Sequence, residues 1–355
     1  MTPLFINQVF SNKIKIHDKN FDFFSGTSYL GLNTDTTFQS LLTEGFKKYG
    51  TSFGSSRNGN FQLEIYEQAE AFLANKIGAE SAITVSSGML AGQLLVNHFY
   101  TQSPHYIYAP QTHAANFHKP DIATPKISFS EWAATINQQI EQQNNSNIII
   151  VCNSCDALKV SQYDFSWTKN LPTEKNLTLI IDDSHGIGVI SEDGSGIFKQ
   201  IQVSENVELI IIASLHKGFG IPGGVILGQK RRINELKYHN AFFTSCSPIT
   251  PAYLYALCHA GDLYKQQLER LRLNIKTFIS QIQKIDFLSY QDDYPVFYTP
   301  KSELYEYLFQ HEIFIYHFAY PIQAGIPNTR IVLNASHDIE QIQKLADKLN
   351  NFSII

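Results

Sequence analysis

Apolar residues recur along the chain with two different periods. Over residues 61–77 they fall at Leu63, Tyr66, Ala69, Phe72, Leu73 and Ile77, the spacing of a helix that buries one face. Gly78 follows, where a helix end commonly turns left-handed. Short runs of Ile, Val and Leu at 82–85, 106–108, 148–152, 178–182, 209–213 and 225–227 read as strands. The stretches 89–99 and 131–143 between them read as helices. Strands that are apolar throughout belong to a sheet covered on both faces, and their alternation with helices makes that sheet mostly parallel. Such sheets carry their ligands beyond the carboxyl ends of the strands.

The rhythm changes at Pro248. A long helical stretch, 253–285, leads into a smaller α+β region with strands at 296–298, 313–317 and 330–334 and a last helix over 339–349. Ser336 is placed to cap that helix, with Asp338 and Glu340 in its first turn. At the other end, 21–25 alternates weakly and reads as an edge strand. The pattern predicts an N-terminal arm (1–45), a large α/β domain (46–247) and a small C-terminal domain (248–355).

Composition narrows the function classes. A net charge of −5 without a dense basic block argues against nucleic acid as the partner. No stretch approaches the ~20 apolar residues of a membrane span. Four cysteines in 355 residues suit a reducing compartment, so the cytoplasm is expected. Cys152 and Cys155 form C-x-x-C, but with no second pair at metal spacing the reading is two reduced thiols and no metal site.

Chemistry concentrates in two stretches. Gly218, Gly220 and Gly223 spell G-x-G-x-x-G, yet they run into the strand-like Val225-Ile226-Leu227, with Pro222 where a helix would have to begin. A dinucleotide fingerprint needs a helix there, so that reading fails. Lys217, in Ser214-Leu215-His216-Lys217-Gly218-Phe219-Gly220, is instead a candidate Schiff-base lysine among glycines and apolar residues. Upstream, Asp182 ends an apolar strand in Ile181-Asp182-Asp183-Ser184-His185-Gly186. A carboxylate there can keep a pyridine nitrogen protonated, and with the lysine it makes the minimal apparatus of pyridoxal phosphate (PLP) chemistry.

These two stretches resemble the α-oxoamine synthases, PLP-dependent transferases of fold type I that join an amino acid to an acyl thioester and release carbon dioxide. Other pieces match in order: Tyr29-Leu30-Gly31-Leu32, Gly54-Ser55-Ser56-Arg57, Ser87-Gly88-Met89, Thr112-His113-Ala114, Phe243-Thr244-Ser245, and Arg330 with His337. The resemblance runs from about residue 20 to the C-terminus. It implies that Lys217 holds PLP and removes the α-proton, that Asp182 faces the pyridine nitrogen, and that His113 stacks on the ring. It also implies His185 near the phenolic oxygen, and Gly88, Met89 and Ser214 at the phosphate. Thr244 would reach the phosphate from the other subunit of a homodimer, and Arg330 would grip the substrate carboxylate.

Thr27 stands where the family commonly has a substrate-contacting Asn. The family's S-x-D-G-D element has no clear counterpart, with Ser154 and Ser161 both open as its remnant. H-K-G-F-G is most similar to the members whose product is 8-amino-7-oxononanoate, made from L-alanine and a pimeloyl thioester for biotin synthesis. Glycine C-acetyltransferase-like or serine palmitoyltransferase-like activity, a fold type I aldolase or aminotransferase without an acyl donor, and a PLP-binding module without turnover are the alternatives. The family's N-terminal lead and the segment after His113 are shortened here, which removes places to grip coenzyme A. An acyl carrier protein is therefore the expected donor, docking on a basic patch; Arg231, Arg232 and Lys237 form one local basic cluster of that kind, although taken alone they read first as a solvated helix face.

Overall fold

The structure, a computed structural model, describes residues 4–156, 158, 161–283, 286–319 and 327–352, with only the backbone of 161 and 162. Its strands are β1 (Lys13–Ile16), β2 (Lys19–Phe24), β3 (Ser81–Val85), β4 (His105–Tyr108), β5 (Asn147–Asn153), β6 (Cys155–Asp156), β7 (Ser161–Gln162), β8 (Asn176–Asp182), β9 (Val207–Ser214), β10 (Gly224–Gly228), β11 (Val296–Thr299), β12 (Ile313–Phe318) and β13 (Asn328–Val332). The helices are α1 (Thr36–Tyr49), α2 (Glu64–Ile77), α3 (Gly88–Tyr100), α4 (Phe129–Glu141), α5 (Lys230–His239), α6 (Ala241–Ser245), α7 (Pro251–His259), α8 (Gly261–Gln281), α9 (Glu303–Gln310) and α10 (Ile339–Asn350).

The chain forms two compact units. One comprises Ser40–Cys155 and Tyr163–Gly261; the other comprises Met1–Gln39, Asp156–Gln162 and Asp262–Ile355. The first is built on a sheet of order β3-β10-β9-β8-β5-β4. Strands β4, β5, β8 and β9 run parallel, while β10 runs against both of its neighbours. Ile149, Val151, Ile180, Ile210 and Ile212 pack with Leu94, Leu95 and Phe99 of α3 and with Ile233 and Leu236 of α5. The alternate residues Ile150, Leu179, Ile181 and Ile211 are just as buried, so the sheet is covered on both faces as its unbroken apolar runs predict.

Local signals explain the helix ends. Gly78 closes α2 at φ 92°, where any Cβ is strained. Ser128 and Glu131 form a reciprocal capping box that starts α4 two residues ahead of the expected helix.

The second unit holds a sheet of order β1-β2-β12-β13-β11. The stretch read as an edge strand is β2, and it lies inside the sheet because β1 folds back over it as a hairpin while β12 pairs with its other side. The single helix expected at 253–285 is two, α7 and α8, separated at Ala260; Ile285 lies outside the described residues. Helix α10 is capped by Asp338, in a capping box with Gln341, and not by Ser336. Ser336 instead donates to Asn334 Oδ1, in the turn before the helix.

Candidate active site

The parallel strands bring their carboxyl ends together. Asn153 of β5 lies opposite Asp182 of β8, and Asp182 opposite Ile212 of β9. Beyond these pairs the turns are stitched across the strand ends. Ser154 N–H donates to Asp182 O, Asp183 N–H to Ile212 O, and Ser214 N–H to the Ser184 hydroxyl. The loops after β8 and β9 then touch backbone to backbone. A Cβ on Gly218 would lie 2.1 Å from Ile187 O, and one on Gly188, already at φ 82°, 2.9 Å from Gly218 Cα. Only glycine lets these loops close. His185 and Lys217 ride on them, both half-buried.

Asp182 and Asp183 are neighbours in sequence with opposite surroundings. Asp182 is half-buried at the strand end; Oδ1 accepts from Ser184 N–H at 3.0 Å and Oδ2 from Asn116 Nδ2 at 3.1 Å. These two neutral donors fix its orientation without cancelling its charge. Asp183 is fully buried, and Oδ2 accepts from Ile197 N–H at 2.9 Å. Burial pushes its carboxyl up to about 7, against the pull of that N–H. Ser154 is buried with its own N–H on Asp182 O, while the side chain of Ser161 is outside what is described.

The first turn of α3 forms another wall. Ser87 caps it, accepting from Leu90 N–H, so the N–H groups of Gly88 and Met89 point out of the helix start, where an anion is favoured. A Cβ at Gly88 would sit 2.8 Å from the Ser214 Cβ, and one at Gly224 2.3 Å from Ser87 O. The β3–α3 turn, the end of β9 and the start of β10 therefore meet around Ser214. The Ser214 hydroxyl also bonds His216 Nδ1 at 2.5 Å.

His113 stands on the turn that follows β4, beside α3. Its backbone N–H donates to Asn153 Oδ1 and its Nδ1 accepts from Ala115 N–H, which places the ring proton on Nε2. The same turn supplies Asn116 to Asp182. It approaches α3 so closely that a Cβ on Gly92 would lie 2.4 Å from Ala115 O.

The structure thus assembles Gly88, Met89, His113, Asp182 and Ser214 in one region, with His185 and Lys217 on the adjoining loops. Thr244 is exposed on α6, held by Asn58 Nδ2 at 3.3 Å and by Ser56, whose hydroxyl donates to its carbonyl. Thr27 and Arg330 belong to the other unit. There Arg330 is buried on β13 with its guanidinium 4.1 Å from the Tyr316 ring centroid, a cation–π contact. Nearby, His337 uses both nitrogens structurally: Nδ1 accepts from Asn334 N–H and Nε2 donates to Phe23 O. Burial pushes it down to about 4.

The basic cluster expected on a helix face is overturned. Arg231 is exposed, but Arg232 and Lys237 are buried. Arg232 grips Glu208 through Nε and Nη2 and bonds Glu235, and Lys237 pairs with Glu67 and, at 3.9 Å, with Glu70. One exposed arginine does not make a docking patch. Cys152 is buried with its thiol pushed up by burial and by Asp182, and no metal-binding cluster is found among the described residues. Sequence reasoning missed Asn116, Asn153 and Ser184, whose roles lie in long-range pairing that no local pattern announces, and His216, which bonds Ser214 two residues away.

Residues 25–349 match the family model described as aminotransferase class I and II. A curated relative, the 8-amino-7-oxononanoate synthase of Lysinibacillus sphaericus, is 24% identical over 95% of this chain and 90% of its own. The enzyme of the same name from Fervidobacterium nodosum is 25% identical over 90% and 85%. Among solved structures, a serine palmitoyltransferase from S. paucimobilis with bound PLP and myriocin superimposes with a TM-score of 0.83 at 15% identity, over 98% of this chain and 92% of that one. The 8-amino-7-oxononanoate synthase of Francisella tularensis gives 0.69 at 20% identity, over 93% and 97%.

Proposed function

Because the chain belongs to the class I and II aminotransferase family, we propose that it is a PLP-dependent acyltransferase that condenses a small L-amino acid, alanine, with a pimeloyl thioester to give 8-amino-7-oxononanoate. The observation that carries this reading is the meeting of Asp182, the open turn of α3 and the Lys217 loop at one end of the sheet. Their chemistry fits the cofactor: helix N–H groups and Ser214 for a phosphate, a carboxylate for a pyridinium, an amine for an aldehyde. When bound, PLP supplies an electron sink for the carbanion left as a bond to the amino acid's Cα breaks.

The chain's residues then have separable tasks. Lys217 Nζ holds the cofactor and moves the proton at Cα. Asp182 holds a proton on the pyridine nitrogen, its own position locked by Ser184 and Asn116. His113 covers the ring, and His185 lies beside the phenolic oxygen. Gly88, Met89 and Ser214 bind the phosphate, while Arg330 and Thr27 take the substrate. In a homodimer, Thr244 reaches the partner's phosphate. Four free cysteines fit a cytoplasmic enzyme, and no helix among the described residues is long and apolar enough to cross a membrane.

The serine palmitoyltransferase likeness supports a second reading, a serine or glycine acyltransferase. The test incubates purified protein with alanine, glycine and serine, each with acetyl, pimeloyl and palmitoyl thioesters on coenzyme A and on a carrier protein. Release of carbon dioxide with alanine and a pimeloyl donor is expected. Turnover without any acyl donor would refute the acyltransferase reading. Borohydride should fix the cofactor to Lys217, as peptide mapping reads out.

A further inference from the structure

His216 stands immediately before the lysine, and the proposed function gives it no task. Its Nδ1 lies 2.5 Å from the Ser214 hydroxyl, itself packed against the open first turn of α3. A serine hydroxyl has one proton to give and can accept two. If Nδ1 is bare, that proton goes to the imidazole and Ser214 presents only lone pairs to an incoming anion. If Nδ1 carries the proton, the imidazole donates to Oγ and the serine proton is free for the anion.

We propose that His216 is a positioning residue for the phosphate of the cofactor: its Nδ1–H donates to Ser214 Oγ and so turns the serine's only proton toward the phosphate. The inference rests on the reading that Ser214 binds that phosphate. Binding then selects one tautomer of a neutral ring. In the free protein, desolvation and the adjacent Lys217 push His216 down to about 4, so the ring is neutral before the cofactor arrives. His216 is exposed, so Nε2 can accept a hydrogen bond from water.

The test measures PLP affinity of the apo-protein by fluorescence titration, with pyridoxal, which lacks the phosphate, as the internal control. His216→Ala weakens PLP about tenfold, the worth of one hydrogen bond to a charged group, and leaves pyridoxal unchanged. His216→Asn, whose Nδ2 can donate from the place of Nδ1, restores most of the affinity. In a Ser214→Ala background His216→Ala has no further effect. Nitrogen-15 NMR of the wild type reports a protonated Nδ1 once PLP is bound. If Ser214→Ala weakens PLP and His216→Ala does not, or if Nδ1 stays bare in the holoenzyme, the relay is wrong while the phosphate reading stands. If Ser214→Ala leaves PLP affinity intact, the phosphate reading itself fails and the relay with it. Equal loss of PLP and pyridoxal affinity in His216→Ala marks a structural role and also overturns the relay.

Discussion

Two regions of the same unit handle charge in opposite ways. Around α5 the buried cations are each closed on an acid: Arg57 with Glu70, Lys237 with Glu67, and Arg232 with Glu208 and Glu235. At the strand ends Asp182 is held by an amide N–H and an asparagine, so its orientation is fixed while its charge stays unspent. Buried ion pairs satisfy each other and leave nothing for a ligand. A carboxylate steadied by neutral donors is ready for a cation that the fold does not supply, such as a protonated pyridine. The lesson is that the partners of a charged residue, more than its burial, mark it for structure or for chemistry.

Substitutions can break this contrast. The largest effect belongs to Lys217→Ala, which should abolish turnover while the thermal midpoint stays near the wild-type value; residual activity would remove the lysine from the chemistry. Asp182→Asn should keep PLP yet lower kcat about 10²- to 10³-fold, the scale of losing one fixed charge at a reacting group. Asp183→Asn should leave kcat near wild type, and steady-state kinetics of the pair tells the two carboxylates apart. In the closed region the loss appears in stability. Arg232→Met leaves Glu208 without its partner and should cost about 3 kcal/mol in denaturant unfolding, with kcat of the folded fraction unchanged.

Two buried groups give a pH signature of opposite sign. Asp183 has a folded pKa of about 7, above its unfolded value of 3.8, so the folded state holds the extra proton. Its contribution is complete below pH ~4 and is lost as pH rises toward 7, bounded by about 4 kcal/mol. His337 is lowered to about 4 from 6.5. It stabilises the neutral range and loses that contribution as pH falls from ~6.5 to ~4, bounded by about 3 kcal/mol. In the wild type the two slopes oppose each other. Urea unfolding of Asp183→Asn should therefore show stability rising with pH over this window, and His337→Gln should show it falling. The smallest effect expected is that of Arg231→Glu, within about 0.5 kcal/mol and without change in the use of a carrier-linked donor.

Much of the fold was legible. Unbroken Ile, Val and Leu runs place β5, β8 and β9, and their ends locate Asp182 and the lysine loop. The departures have physical causes. Periodicity does not register the break at Ala260, because both α7 and α8 bury a face. The amphipathic look of α5 hides that Arg232 and Lys237 meet acids from Glu208 and Glu67, far away in sequence. Asn116 was invisible for the same reason: an asparagine in a turn is ordinary until the fold sets it beside Asp182. The capping box at Ser128, by contrast, is a local signal that could have been read.

The loop that carries Lys217 leaves the sheet at Ser214 and re-enters it at Gly224, two residues that face each other across β9 and β10, and Leu215 N–H closes it again on Gly223 O. A segment tied at both ends to the same rung must take up an inserted residue within 216–222, and there it would lift Gly218 off Ile187 and Gly188 and carry Lys217 away from the strand ends. Length variation at the lysine is therefore barred to the descendants of this sequence. New substrate preferences have to arise in stretches the sheet does not close, such as the turn-rich residues 117–127.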